Sequence, residues 1–352
     1  MFKVTLKTSG RQFSVAQGET VLEAAQRAGV ALPYSCRAGV CGSCKATLLH
    51  GACAYPRNPP LALNLTEKAH HAVLLCQAVP TSDLLLEARE VTSVEDIARR
   101  QLAMVVTEKW SLAPDVTGLR LLPAPGERPL KRLPGQYIDV LLEDGKRRPF
   151  SIANSPQPDG MIEMHVRHVA GGGFTSRVSR VLKPGDHLRV EGPLGTFVPR
   201  EDSERPMIFM AGGTGIAPIK AITEHFIALG TRRPIDLYWG ARNASDLYLR
   251  ELAEHWAGEL PHMAFHAVVL DPQPSVGLRV GLVHEAVLAD HPDLSGHDVY
   301  MSGPPAMVDA AHPAFLAAGL PEDRLYYDSF EYAPDVLAQI MAGRAGIHDL
   351  PL

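Results

Sequence analysis

The first fifteen residues, MFKVTLKTSGRQFSV, alternate apolar and polar positions. Phe2, Val4 and Leu6 therefore share one face of a strand, and Ser9-Gly10 turns the chain into a second strand, predicting a hairpin. The stretch ETVLEAAQRAG then predicts a helix, with Thr20 and Glu23 as a capping box and Gly29 where the helix stops. A polar linker, EVTSVEDIARRQL, closes this first segment near residue 92. From about 101 to 200 the apolar runs are short. Turn signals separate them at Pro134-Gly135, Asp144-Gly145, Asp159-Gly160, Gly171-Gly172-Gly173, Pro184-Gly185 and Gly192-Pro193, a spacing that predicts an antiparallel β-barrel. Beyond Arg205-Pro206 strand and helix alternate, from MIFMAGG and APIKAITEHFIALG to DVYMSG and AMVDAAHPAFLAAG, which predicts a parallel sheet covered by helices. The expected architecture is multidomain, α+β followed by α/β: residues 1–92, a linker 93–100, a barrel 101–202, a parallel-sheet domain 203–331 and an unassigned tail 332–352.

A length of 352 residues leaves room for two or three domains with their own cores. The formal net charge of -5, without a dense basic run, gives no reason to expect nucleic acid or an anionic membrane as a partner. With no apolar leader segment and no run of about 18 apolar residues, the expected location is the cytoplasm. Five cysteines, an odd number, make a poor disulfide framework, and reduced thiols are free to bind metal.

Cys36, Cys41 and Cys44 are spaced C-x4-C-x2-C, and Cys76 follows in VLLCQAV. Three thiolates on one loop with a fourth at a distance is the arrangement that holds a plant-type 2Fe-2S cluster. Gly39 and Gly42 let the loop wrap tightly and aim N–H groups at sulfur. A structural zinc site more often pairs two short C-x2-C units, of which this chain has one. Cys53 is left over as a small apolar residue.

RRPFSIANSP places Arg148, Phe150 and Ser151 on a barrel strand, offering a phosphate contact, an aromatic cover and a hydroxyl; alone, the same residues also describe a surface arginine beside a core Phe. GGGFTS supplies backbone donors and two hydroxyls suited to a pyrophosphate, or forms a plain glycine turn. FMAGGTGIAP is a strand ending in a glycine-rich turn that opens a helix, where a nucleotide phosphate would meet free N–H groups. It is not G-x-G-x-x-G. VYMSGPPAM is a second strand-turn-helix unit, expected at the same sheet edge.

In this order the stretches resemble the ferredoxin-NADP reductase superfamily, in particular its members with an N-terminal plant-type 2Fe-2S ferredoxin domain: the reductase components of multicomponent oxygenases and the CDP-6-deoxy-glucoseen reductases. The resemblance covers residues 1 to about 330. It implies a β-grasp ferredoxin domain with Cys36, Cys41, Cys44 and Cys76 as cluster ligands, an FAD-binding barrel and an NAD(P)-binding domain. The flavin motif falls on Arg148, Phe150 and Ser151, and the flavin-phosphate stretch on Gly173, Thr175 and Ser176. The dinucleotide turn falls on Gly212, Gly213, Thr214 and Gly215, and the second turn on Ser302, Gly303, Pro304 and Pro305. Ser302 stands where many relatives carry a cysteine, and Phe330 where an aromatic residue covers the flavin; with Ser151 it is expected beside the reacting ring.

The activity implied is NAD(P)H-dependent electron transfer, by hydride to FAD and then singly through the cluster to a partner protein, most often a Rieske or diiron oxygenase, docked transiently by a monomer. The coenzyme expected is NADH, although Arg242, near Asp246, could meet a 2'-phosphate. A deoxysugar dehydratase is the alternative acceptor. A reductase that releases free flavin is a second alternative, but it has no need of a cluster domain. No protein nucleophile is expected, and His165 is expected to pack rather than to ligate.

Overall fold

The computed structural model describes residues 1–91, 97–169, 173–271 and 278–330; residues 93–96 of the expected linker, Gly171-Gly172 and the tail 332–352 lie outside them. The chain forms two compact units, Met1–Ala98 with Gly195–Phe197, and Arg99–Leu194 with Val198–Leu352.

In the first unit β1 (Phe2–Leu6) and β2 (Gln12–Val15) pair antiparallel as the hairpin. The capping box forms: Thr20 Oγ1 accepts from the Glu23 N–H at 3.2 Å and Glu23 Oε2 from the Thr20 N–H at 2.9 Å, opening α1 (Val21–Arg27). After it come β3 (Lys45–His50), β4 (Cys53–Ala54), α2 (Leu65–Ala69), β5 (Ala72–Leu74), β6 (Val79–Pro80) and β7 (Leu84–Glu87). The main sheet runs β2-β1-β7-β3-β5, with β1 and β7 parallel and the other pairs antiparallel; β4 and β6 form a small second ladder. Val21, Leu22, Ala24 and Ala25 bury one face of α1 in a core with Val4, Leu6, Leu75 and Leu86.

The second unit begins with β8 (Arg100–Ala113), β9 (Val116–Pro123), β10 (Tyr137–Leu141), β11 (Arg147–Ser151), β12 (Ile162–Arg167), α3 (Gly173–Arg180) and β13 (His187–Leu194). Six antiparallel strands run β11-β10-β13-β8-β9-β12. The expected closed barrel is not found as a continuous ladder: edge strands β11 and β12 meet in one isolated bridge, Ile152 with Met164. The reason is local. Past Ala153, whose N–H donates to the Glu163 carbonyl, the side-chain amide of Asn154 takes the strand's place and accepts from the Glu163 N–H at 2.8 Å.

Next follow β14 (Met207–Gly212), α4 (Ile216–Ala228), β15 (Ile235–Ala241), α5 (Arg250–Glu259), β16 (Met263–Val269), β17 (Arg279–Val280), α6 (Val283–Asp290), β18 (Asp298–Gly303), α7 (Pro305–Ala317) and β19 (Leu325–Ser329). All pairs are parallel, in the order β17-β16-β15-β14-β18-β19. Strands β14 and β18 are buried along their whole length, as strands covered on both faces must be. The chain steps outward from β14 to β17 and returns to β18 on the other side, so its order reverses between β14 and β18. That crevice is where parallel sheets bind ligands. Among the described residues no helix is long and apolar enough to cross a membrane.

Candidate functional site

The loop from α1 to β3 carries Cys36, Cys41 and Cys44, while Cys76 follows β5. Among the described residues no three metal-binding side chains converge on one ion position. The thiols lie close enough to act on one another, Cys36 with Cys41 and Cys44 with Cys76 most strongly, and Cys41 also on Cys44. A zinc ion needs four ligands about one centre, whereas a two-iron cluster needs two thiolates at each end, so the pairs fit the cluster. The Cys41 thiol, then the N–H groups of Val40, Ala38 and Cys41, lower the Cys36 thiol to about 6, with the Ala38 N–H 3.3 Å from its sulfur. Pairing with Cys36 and burial push Cys41 up; pairing with Cys76 and burial do the same to Cys44. Gly39, at φ +84, is obligatory: a Cβ there would lie 2.9 Å from Gln77 Cγ. Gln77 in turn donates to the Arg37 carbonyl at 2.7 Å, tying the loop to the Cys76 segment. Cys53 is half-buried at the edge of the core and outside the pairs; burial raises it to about 11.

At the switch point of the second unit two turns close on each other. Gly213–Gly215 form a turn of 3-10 helix between β14 and α4, and Pro218 falls in the first turn of α4, where its missing N–H costs nothing. A Cβ on Gly215 would lie 2.0 Å from the Ser302 carbonyl oxygen, and one on Gly212 2.6 Å from Met307 Sδ. Ser302 is fully buried, and its hydroxyl and that of Ser329 have no hydrogen-bond partner among the described residues. Pro304 caps α7, with Pro305 as its first residue. The Phe330 N–H donates to the Gly303 carbonyl at 3.0 Å, which brings the end of β19 to this turn. Strand β19 is absent from the sequence expectation, which ended the alternating pattern at α7.

On β11 Phe150 packs against Phe174 of α3, ring centroids 5.5 Å apart, and Ser151 Oγ donates to the buried Asp328 carboxylate of β19 at 3.2 Å. Ser151, Asp328, Phe330 and Gly303 thus come together, while the Arg148 guanidinium, two residues before Phe150, donates to the Arg147 carbonyl. The GGGFTS stretch supplies a helix rather than a glycine turn from Gly173 onward, because Phe174 and Val178, four residues apart, both bury in the core of the antiparallel sheet. Thr175 Oγ1 accepts from the Val169 N–H at 3.2 Å and Ser176 Oγ meets His168 Nε2 at 3.2 Å; a Cβ on Gly173 would enter open space.

Sequence reasoning missed the polar face of β12. Ile162, Met164 and Val166 point into the core, so Glu163, His165 and Arg167 share the opposite face. Glu163 meets Lys220 of α4 at 3.2 Å, and Lys220 also reaches Glu224 at 2.7 Å and the Ala153 carbonyl at 3.0 Å. Burial would raise Glu163, but the His165 hydrogen bond and the Lys220 charge outweigh it and hold the carboxyl at about 2. His165 is packed between Tyr248 and Glu163; burial lowers its pKa against the pull of Glu163, so the ring is neutral near pH 7. Arg167 lies beside Gly213, Nη2 3.6 Å from where a Cβ would stand, and its Nε and Nη2 are buried with no partner among the described residues. An orphaned guanidinium edge beside a glycine turn fits a phosphate-bearing ligand. The visible signal was the alternation itself, in a strand whose polar face had to be buried against something.

Compared with known proteins, residues 4–81 match the 2Fe-2S iron-sulfur cluster binding domain, 103–198 the oxidoreductase FAD-binding domain and 209–313 the oxidoreductase NAD-binding domain. Over 327 residues the chain is 36% identical to the CDP-6-deoxy-L-threo-D-glycero-4-hexulose-3-dehydrase reductase of Yersinia pestis, covering 93% of this chain and 98% of that one. It is also 36% identical over 333 residues to the terephthalate 1,2-dioxygenase reductase component 2 of a Comamonas species, at 94% and 98% coverage. The crystal structure of the cytochrome P450 reductase GcoB of Amycolatopsis superposes with a TM-score of 0.75 at 33% identity, over 94% of this chain and 99% of that one. Paired thiols, flavin-type strands and a parallel-sheet switch point thus occur in one chain in the order its relatives share, and the protein belongs to the ferredoxin-NADP reductase-like family of 2Fe-2S flavoprotein oxidoreductases, carrying electrons from NAD(P)H through FAD to the cluster.

Proposed function

We propose that the protein delivers these electrons to a separate oxygenase, docking transiently as a cytoplasmic monomer through its β-grasp cluster domain. The carrying observation is the pair of thiol pairs on the same chain as the flavin and nucleotide domains, since an enzyme releasing free reduced flavin has no use for them. Relatives at 34–36% identity named as reductase components of terephthalate 1,2-dioxygenase and phenol 2-monooxygenase support this acceptor. The Yersinia relative supports a second, a CDP-sugar dehydrase.

Cys36 and Cys41 would hold one iron, and Cys44 and Cys76 the other. In a flavin domain that acts as a barrel despite its open ladder, Arg148 would hold FAD phosphate with Gly173, Thr175 and Ser176, while Phe150 and Phe330 cover the ring and Ser151, fixed by Asp328, stands at its reacting edge. Gly212, Gly213, Thr214 and Gly215 would hold the dinucleotide, NADH by preference, against Ser302, Gly303 and Pro304, with Arg167 balancing its phosphate charge. Bound there, FAD accepts a hydride's electron pair and the cluster passes electrons on singly.

Reconstitution tests the acceptor: NADH, the purified reductase and an oxygenase captured from the same cells should give partner-dependent oxygen uptake coupled to a hydroxylated product. Oxygen-independent reduction of a CDP-sugar-bearing acceptor would favour the dehydrase, and flavin release unstimulated by any protein would overturn both. Arg148→Ala tests the flavin site. It removes a planar donor fork and should lose most FAD on gel filtration, with affinity about tenfold weaker or more; full occupancy in the variant would reject the assignment.

A further inference from the structure

The glycine-rich turn at Gly213, φ +53, carries no side chain of its own to fix it, yet its peptide orientation decides what the turn presents. Its carbonyl is held twice, by the Ile216 N–H within the turn and by the Trp239 indole N–H of β15 at 2.9 Å. In a trans peptide the carbonyl and the following N–H point opposite ways, so turning the Gly213 carbonyl into the protein sends the Thr214 N–H outward. Trp239 is itself fixed. The ring of Tyr248 stands edge-on to it at 90°, centroids 5.3 Å apart, and the Tyr248 hydroxyl meets His165 Nδ1 of β12 at 3.1 Å. His165 Nε2 lies 2.9 Å from Glu163 Oε1. An ionised carboxylate only accepts, so Nε2 carries the proton, Nδ1 is the acceptor and the Tyr248 hydroxyl must donate to it. The Lys220 ammonium, 3.2 Å from the same Glu163 oxygen, anchors the far end.

The geometry points to a relay, Glu163 to His165 to Tyr248 to Trp239 to the Gly213 carbonyl, by which a flavin-side strand sets the dinucleotide turn, making Tyr248 and Trp239 positioning residues for NAD(H) affinity. This rests on the proposed nucleotide site. Neither residue needs to touch the coenzyme. The two hydrogen bonds of His165 are directional while Glu163 stays ionised, the Tyr248 to Trp239 step is an edge-on ring contact, and the Trp239 indole can only donate to the Gly213 carbonyl. Tyr248→Phe keeps the ring but frees it to turn, and Trp239→Phe releases the Gly213 carbonyl.

The test is calorimetric titration of the FAD- and cluster-loaded protein with NAD+, which binds without turnover. Tyr248→Phe should weaken binding about fivefold and Trp239→Phe about tenfold. Because they act in series, the double variant should be no more than about twofold worse than Trp239→Phe alone. FAD content should be unchanged, and KM for NADH should rise by more than kcat falls. If Trp239→Phe fails to fold, Tyr248→Phe carries the test. Unaltered NAD+ affinity in Tyr248→Phe, or strictly additive losses in the double variant, overturns the relay. Wild-type protein that binds no NAD+ overturns the functional reading and the relay with it.

Discussion

Cys41→Ser should bleach the visible features of the cluster and stop electron delivery to one-electron acceptors, while NADH still reduces the bound flavin. Cys41 is buried and partners Cys36, so the substitution takes one ligand from one end of the cradle and breaks the contact that favours the Cys36 thiolate. A serine hydroxyl is far less acidic than a thiol and forms a poor soft ligand. Iron and sulfide content, the visible spectrum and stopped-flow flavin reduction separate the two halves of the expectation. Retained iron with full acceptor turnover would show that the loop does not hold the cluster. The flavin half should survive because the cluster unit closes a core of its own.

Gly215→Ala should be nearly as damaging at the other end of the electron path. Its Cβ would stand 2.0 Å from the Ser302 carbonyl oxygen, 2.5 Å from the Ser302 carbonyl carbon and 3.0 Å from Gly303 Cα, all backbone that cannot rotate aside. Overpacking of this kind costs about 1–3 kcal/mol, and opening the two turns should weaken NADH by about tenfold or more. Gly258→Ala is the control: it lies on α5 with nothing within 4 Å of its Cβ, and should be neutral or gain up to about 1 kcal/mol. Melting temperature and NADH affinity of the two variants decide it. Equal behaviour would mean that the two turns do not brace each other.

What the sequence made legible followed from local rules. The capping box at Thr20 and Glu23, the hairpin turn at Gly10 and the strand-turn-helix at Gly212–Gly215 are each written within a few consecutive residues. The thiol spacing belongs with them, because three of the four thiols proposed as ligands sit on one loop. Long-range placement was not legible. Nothing near Ser151 announces Asp328, 177 positions away, and nothing in His165 names Tyr248, 83 positions away. Strand β19 escaped although Tyr326 and Tyr327 favour a strand: it is only five residues long, and its ladder partner β18 is separated from it by all of α7. The GGGFTS stretch misled because Gly punctuates loops, while the apolar spacing that winds α3 starts within it at Phe174 and is completed only past its end, at Val178.

The core of the first unit draws only on residues between Val4 and Ala88, a segment complete before any flavin strand has been synthesised. As the chain leaves the ribosome, Cys36, Cys41, Cys44 and Cys76 emerge together with that core, and domains made first fold first, while Gly195–Phe197, which complete the unit, follow later. We predict that iron and sulfide are loaded on the nascent chain, before the second unit is made. Ribosome-bound intermediates carrying the cluster before β8 is translated are the observable sign of such an order of assembly.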